Sequence, residues 1–592
     1  MTPGEGTGAR RIQSEAYGAA RPAWRSRRWM LGILLIALGL RGIAWIRFDP
    51  VAFDSAVYFE MADLLRAGQW SQALGYAYPP LYPILIAGTR VLGASAETGG
   101  FLIALAASLL ILYLLPAITR ITVGEPAAWA AAFLWAVHPQ AVLLGAQALS
   151  DTPTVLCCAL ALWMGMRALM ERRMAWALGA GVASGLAYLF RPEGIEPALA
   201  LAALYFLATP STLAPEQGLS APGPDTRPLP RGTCPRVLRR TTWVIVPLVG
   251  WAIASTPYII HLSIEAGSLT FSKKKSTASI LRSLMPPQGK EKWPQQFSTD
   301  SRLALPASGQ PSASSQGSPR SRLARLARNA YIFQKPLVNG VNPLILACGL
   351  IGVWGMRSRR ESDGRARALL AGLLGMHLAV LLGVAANQGA AYLGRHHFFL
   401  MVLYALPFAA AGLDRTLTWF RNRLGNPERI SASALTGIVV CTGLWLLARH
   451  SDQGVAVRPA AAWIQTQVAS TPVIITNLAK LTYHAGAERV ELRGTYEDIL
   501  QRGRARSAHF LAFYPSLLPD VAADFLMRLD PTDLELVRVF PEPSRPGHEQ
   551  RLEIYRLRSR TTGRATDSPA SVEAGGRGAS PGKNRPQDEP RR

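Results

Sequence analysis

The chain has 592 residues, 49% of them apolar, and its 63 Lys and Arg outnumber 38 Asp and Glu to give a formal net charge of +25. That charge argues against nucleic-acid binding when its pattern is read. The arginines fall in short clusters (RSRR, ERR, RVLRR, RNR) beside apolar runs, where membrane orientation signals belong, and form no tract among exposed aromatics. The five cysteines make no CxxC pair, which argues against a disulfide scaffold and a structural zinc site.

Residues 1–28 are polar and basic and end in RSRRW without a cleavage-site pattern, so the first apolar run, 29–47, reads as a retained anchor with the N-terminal tail in the cytoplasm. That places an external loop, 48–99, on the far side. The apolar stretch 81–93 within it is short for a crossing and reads as a juxtamembrane segment. Runs at 100–119, 126–144, 152–170, 175–190, 195–208 and 241–261 then cross in alternation. Loop 209–240, rich in Pro, Gly and Arg, reads as cytoplasmic and poorly ordered; loop 262–335 is external and too long to be a mere connector. Spans at 341–356, 367–386, 396–413 and 431–448 follow, with basic turns between them that fall inside.

Past the last span, VIITN, AHFLAFYP, LELVRVFP and RLEIYRLRS read as strands of a small domain over 455–558, and 560–592 as a disordered tail. The sequence therefore predicts a polytopic α-helical membrane protein of about 10–11 spans. A transmembrane catalytic domain, 29–450, would carry a small extracytoplasmic C-terminal α/β or α+β domain.

Chemistry-bearing residues gather at the outer ends of these runs. FDPVAFDSAVYFEMADLLRAGQW places Asp54 and Tyr58 four residues apart, on one face of a helix, with Glu60 and Asp63 beyond them; the plain alternative is an amphipathic helix that Asp54 caps. Asp151 opens DTP at the start of an inward run, where N-capping would also account for it. RPEG at 191–194 sets Arg191 and Glu193 at a helix exit, either as a phosphate fork or as an internal ion pair. GRHHFF offers Arg395 for an anionic lipid phosphate with His396 and His397 beside it; adjacent helical histidines diverge by about 100°, which argues against one metal between them. His138 fits a structural histidine or a site-shaping one. The span interiors read as apolar, and no Walker A, GxSxG, HExxH or Rossmann pattern appears.

Together these segments resemble the membrane-embedded GT-C glycosyltransferases, on the branch of bacterial relatives of the protein O-mannosyltransferases and of the lipid A aminoarabinose transferase. DSAVYFEMA resembles the acid-then-tyrosine pattern of the family's first external loop. PPLYPIL, HPQAVLLGAQALSDTP, AYLFRPEG and YLGRHHFF resemble later family segments in order and spacing over about 29–450. The chain departs from relatives with two adjacent acids, having Asp54-Ser55, so a two-acid or metal mechanism does not carry over.

The resemblance implies an inverting transfer of a sugar from a polyprenyl-phosphate donor to an acceptor hydroxyl on a lipid, a glycan or a protein, at the outer face of a bacterial inner membrane. In this reading Asp54 is the general base, Asp151 a second catalytic or orienting acid, and Arg395, Arg191, His396 and Tyr58 lie near the donor phosphate. Glu60, Glu193 and His138 shape the site. No metal ligand set is assigned, and a divalent cation stays an open alternative. Two rivals remain: a lipid-linked sugar flippase or secondary transporter, which mid-span acids and an inverted repeat would favour, and an O-antigen ligase or polymerase.

Overall fold

The computed structural model describes residues 23–207, 234–273, 333–334, 337–338, 340–354, 361–388, 395–424, 427–448, 456–492, 495–515, 529–541 and 551–558. Most of the 209–240 and 262–335 loops and all of the 560–592 tail lie outside the described residues. The chain opens with α1 (Ala23–Arg47), then α2 (Phe53–Arg66), α3 (Trp70–Leu74) and α4 (Leu81–Val91). Next come α5 (Ala96–Thr122), α6 (Glu125–Val137), α7 (Pro139–Leu144), α8 (Asp151–Glu171), α9 (Met174–Phe190), a 3-10 turn (Pro192–Ile195) and α10 (Glu196–Leu207). After α11 (Cys234–Ala266), α12 (Pro343–Trp354) and α13 (Glu361–Gln388), a second 3-10 turn (Arg395–Phe398) leads into α14 (Phe399–Leu424) and α15 (Pro427–Ala448).

Among the described residues six helices are long and apolar enough to cross a membrane, over 28–47, 96–122, 151–171, 241–266, 364–383 and 399–420, and shorter apolar helices accompany them. The chain is a multi-pass membrane protein. Helix α4, with 11 residues, reaches about 16 Å and falls short of a ~30 Å hydrocarbon core. It packs instead beside α2, where Arg90 pairs with Asp63. Small residues let the bundle close: a Cβ on Gly352 of α12 would overlap the Phe408 carbonyl oxygen of α14, so the two backbones touch.

Three expectations change. The RVLRR cluster, expected at the end of a poorly ordered loop, lies within α11, whose helix begins at Cys234. The run 126–144 is not one helix: it breaks at His138, which is extended at φ −64, ψ 122 because Pro139 follows and disfavours helical backbone before it. The break strands two carbonyls at the end of α6 inside the bundle, and both find donors. Arg41 Nη1 donates to Ala136 O at 3.1 Å and Thr442 Oγ1 to Val137 O at 3.2 Å. The third change follows from the first of these donors. Arg41 is fully buried in α1, and its Nε donates to Ser108 Oγ at 2.8 Å, so the span interiors are not uniformly apolar.

The C-terminal domain contains α16 (Val457–Gln467), β1 (Val473–Ile475), α17 (Ala479–Ala485), β2 (Glu488–Val490), α18 (Tyr496–Ala505), β3 (Phe510–Phe513), β4 (Leu534–Pro541) and β5 (Arg551–Leu557). The sheet order is β2-β1-β3-β5-β4, with β1 parallel to β2 and β3, and β5 antiparallel to β3 and β4. Alternation along β3 sends Phe510 and Ala512 toward the core under α16 and α17, and Leu511 and Phe513 toward the core under α18. The N-terminal end of α18 is defined locally: Thr495 Oγ1 accepts from Asp498 N and the Asp498 carboxylate accepts from Thr495 N, both at 3.2 Å.

This domain is clasped to the loop after α1. The Asp49 carboxylate meets Lys480 Nζ at 2.7 Å, Arg458 Nη2 at 2.9 Å and His484 Nε2 at 3.5 Å. Tyr483 packs on Phe59 of α2 with ring centroids 4.9 Å apart. The domain thus presses on the helix that carries Asp54.

Candidate active site

Helix α2 begins in a pinned corner. Ser55 Oγ accepts from Ala52 N at 2.9 Å and donates to Ala148 O at 2.8 Å, while Ala148 N donates to Pro50 O at 3.0 Å. Asp54 sits in the first helical turn, where the helix dipole favours a carboxylate. It is not the cap, a position taken by Ala52; its Oδ1 accepts a 2.8 Å hydrogen bond from Tyr78 Oη. One turn on, Tyr58 is buried, hydrogen-bonded to Ser150 Oγ at 3.0 Å, and in edge contact with Tyr78 and Tyr82 at 5.1 Å. Burial first, then the Asp54 charge, push the Tyr58 phenol far up, so it stays protonated.

The 145–150 segment delivers Asp151 to the start of α8, where Arg191 Nη1 donates to Asp151 Oδ1 at 2.9 Å. Arg191 Nε also lies 3.6 Å from Glu193 Oε2. Arg191 is where it is because Pro192 ends α9 and the chain turns tightly through Gly194. A Cβ at Gly194 would overlap the Ala187 and Tyr188 backbone, and Ser184 Oγ holds the turn by donating to Gly194 O at 2.6 Å. Burial works against the Arg191 charge, but Asp151, then Glu193 and Asp54, outweigh it and keep the guanidinium ionised. In turn Arg191 holds Glu193 low against the effect of burial.

Across from this turn stands the Arg395–Phe398 turn. His377 of α13 links the two: its Nδ1 lies 2.7 and 3.0 Å from the two Glu196 oxygens, and its Nε2 lies 2.9 Å from His397 O. Between the turns is a small, partly open cleft. Asp151, Arg191 and Glu193 line one wall, and His377, His397 and Phe399 line the other. Asp54 does not line the cleft, but its charge acts on both Arg191 and Tyr58. The arrangement sets carboxylates and a fixed guanidinium at the end of a helix bundle, beside a small cleft. Among the described residues no group of three or more His, Cys, Asp and Glu forms a metal-ligand set.

Residues 77–216 match the family model of dolichyl-phosphate-mannose-protein mannosyltransferases, a segment that contains Tyr78, Asp151, Arg191, Glu193 and Glu196. This match, over about a quarter of the chain, points to a glycosyltransferase. No curated protein matches it by sequence. Among solved structures it is similar to the apo oligosaccharyltransferase of Archaeoglobus fulgidus, at 12% identity over 84% of this chain and 70% of that one, with a TM-score of 0.49. It is also similar to ArnT from Cupriavidus metallidurans bound to undecaprenyl phosphate, at 13% identity over 89% and 98% of the two chains and a TM-score of 0.39. The arabinofuranosyltransferase AftD from Mycobacteria is similar at 15% identity over 90% and 41%, with a TM-score of 0.45. These are distant likenesses of chain path.

The sequence-predicted residues divide into three groups. Asp151, Arg191 and Glu193 come together in the cleft, and Asp54 and Tyr58 lie beside it without lining it. Two do not: Glu60 is exposed and accepts from Arg489 of the C-terminal domain at 3.1 Å, and His138 is buried at the α6–α7 break. His138 Nδ1 accepts from Ala141 N at 3.3 Å, which leaves Nε2 to donate to Val341 O at 3.1 Å. That is a neutral ring joining backbone groups, away from the cleft. Arg395 and His396 form the backbone of the second turn, and their side chains lie outside the described residues.

Three contributors were missed. Tyr78 carries no motif beyond its place in YAYPP, and Glu196 stood among the outer polar residues without a role. His377 did leave a signal: it is an ionisable residue inside an apolar run, and such a residue marks a site by default.

Proposed function

We propose that the protein is a glycosyltransferase that takes its sugar from a polyprenyl-phosphate carrier and passes it to an acceptor hydroxyl at the outer face of a bacterial inner membrane. The family match supports a donor of this class, since dolichyl phosphate is a polyprenyl phosphate. The observation that carries the reading is the joining of Asp54, Asp151 and Arg191 from three separate segments at one end of the bundle.

In this mechanism the Asp54 carboxylate takes the proton of the acceptor hydroxyl as its oxygen attacks the anomeric carbon. The bond from that carbon to the phosphate oxygen breaks, and polyprenyl phosphate leaves with the electron pair. Arg191 answers the charge that develops on the phosphate. Its Nη1 is held by Asp151, while its Nη2 has no partner among the described residues and Arg191 lines the cleft. Arg395, at the start of the opposite turn, supplies a second cation to the same group. Asp151 orients Arg191, and Tyr58 stays neutral beside Ser150. A single displacement inverts the anomeric centre, which one base suits better than the paired carboxylates of a retaining hydrolase.

The test is transfer by purified protein in lipid, with a panel of polyprenyl-phosphate hexoses and a crude envelope acceptor. The anomeric configuration of the product is read by NMR. Inverted product supports the mechanism. Retained configuration contradicts it, and movement of lipid-linked sugar across vesicles without transfer would return the case to a flippase.

A further inference from the structure

We infer that Glu196 and His377 form a strut that positions the Arg395–Phe398 turn against the Arg191–Glu193 turn, and so sets the width of the cleft. Both side chains are buried, at 3% and 1% exposure, in separate helices. Burying an acid and an imidazole in a helix bundle is costly, and two apolar side chains would fill the same volume without that cost.

The hydrogen-bond geometry says what the pair does. A carbonyl oxygen only accepts, so the 2.9 Å contact of His377 Nε2 with His397 O requires a hydrogen on Nε2. The contacts of Nδ1 with both Glu196 oxygens then hold one further proton, either on the ring or on the carboxyl. In both cases the pair is neutral as a whole and the Nε2–H is fixed toward the turn. Tyr404 of α14 meets the ring edge-on at 6.4 Å and keeps it from swinging away.

The placement is what makes this consequential. Glu196 lies three residues beyond Glu193 and opens α10 directly after the turn that carries Arg191. The held carbonyl belongs to His397, in the turn that opposes it across the cleft. One chain of hydrogen bonds therefore joins the two walls, and a shift of about 1 Å in either wall is enough to disturb a reacting geometry. Glu196 and His377 are positioning residues for the proposed transfer, and only the kinetic arm of the test rests on that reading.

Hydrogen exchange read by mass spectrometry on protein in lipid nanodiscs tests the strut without any substrate. His377→Phe and Glu196→Leu each raise exchange in peptides covering 395–400 by roughly tenfold, while peptides of the C-terminal domain, the internal control for folding, stay unchanged. Glu196→Gln keeps the turn protected, because its amide donates to Nδ1 and leaves the Nε2–H for His397 O. If His377→Phe does not fold, the Glu196 pair decides alone. Unchanged exchange in Glu196→Leu overturns the strut, as does loss of protection in Glu196→Gln equal to that in Glu196→Leu. In the kinetic arm Glu196→Leu raises the donor KM several-fold more than it lowers kcat. Equal effects on the two would overturn the positioning role, whereas absence of transfer by the parent protein would count against the transfer reading and leave the exchange result standing.

Discussion

Arg191 and Asp151, forty residues apart in sequence, meet through Nη1 and Oδ1 at 2.9 Å where two helix ends converge. The pair lines one wall of the cleft, with Asp151 only 6% exposed. Arg191→Met would leave that carboxylate without its cation and cost about 3 kcal/mol of stability. Adding Asp151→Asn to Arg191→Met recovers a large part of the loss, because the uncompensated charge is then gone. A double-mutant cycle on thermal unfolding measures this coupling; strict additivity would show that the pair is not a unit.

Tyr78→Phe removes the hydrogen bond to Asp54 and leaves the ring contact with Tyr58. The carboxylate then loses the bond that fixes its orientation, so kcat for transfer falls by about tenfold with little change in melting temperature. An unchanged kcat would show that Tyr78 does not orient Asp54.

How much of this was legible in the sequence varies by element for physical reasons. Four of the five strands among the described residues were readable because β-branched and aromatic runs ended in turn residues, as in VIITN and RLEIYRL, whereas β2, only three residues long, was not. The break at His138 was overlooked because an apolar run of the right length hides a kink, although the proline was in plain view. Asp151 and Arg191 were legible as candidates, yet their pairing was not, since local spacing offered Arg191 a nearer partner in Glu193. The apolar reading of the 367–386 run hid His377, whose partners come from α10 and from the turn before α14. Long-range partners leave no local pattern.

Ser55 follows Asp54 directly, and its bonds explain the residue. It is fully buried and donates to Ala148 O, which a carboxylate cannot do. Ser55→Asp is predicted to destabilise the protein by about 2 kcal/mol or more, the scale of burying an unsatisfied polar group. Thermal unfolding of the variant checks this. An unchanged melting temperature would mean the corner is loose.

The clasp on Asp49 carries a pH signature. Burial alone would raise its carboxyl, but hydrogen bonds from His484 and Arg458 and the charge of Lys480 outweigh it and hold it well below the ordinary range. A carboxyl lowered by folding adds stability that is complete above its ordinary pKa near 4 and is lost as pH falls below that value. Asp49→Asn is therefore predicted to be less stable than the parent at pH 7, by about 3 kcal/mol because Lys480 is left buried without its partner. The gap narrows as pH drops below about 4. A gap that is constant with pH would remove the clasp from the stability account.

The most direct measurement of the central claim compares the parent with Asp54→Asn for sugar transfer from radiolabelled polyprenyl-phosphate hexoses, in lipid, after both are shown to unfold at the same temperature. The proposed base predicts label in the acceptor with the parent and a loss of at least about a hundredfold with the variant. Equal transfer by a folded Asp54→Asn protein would contradict the assignment and move the search for the base to Asp151 and Glu193.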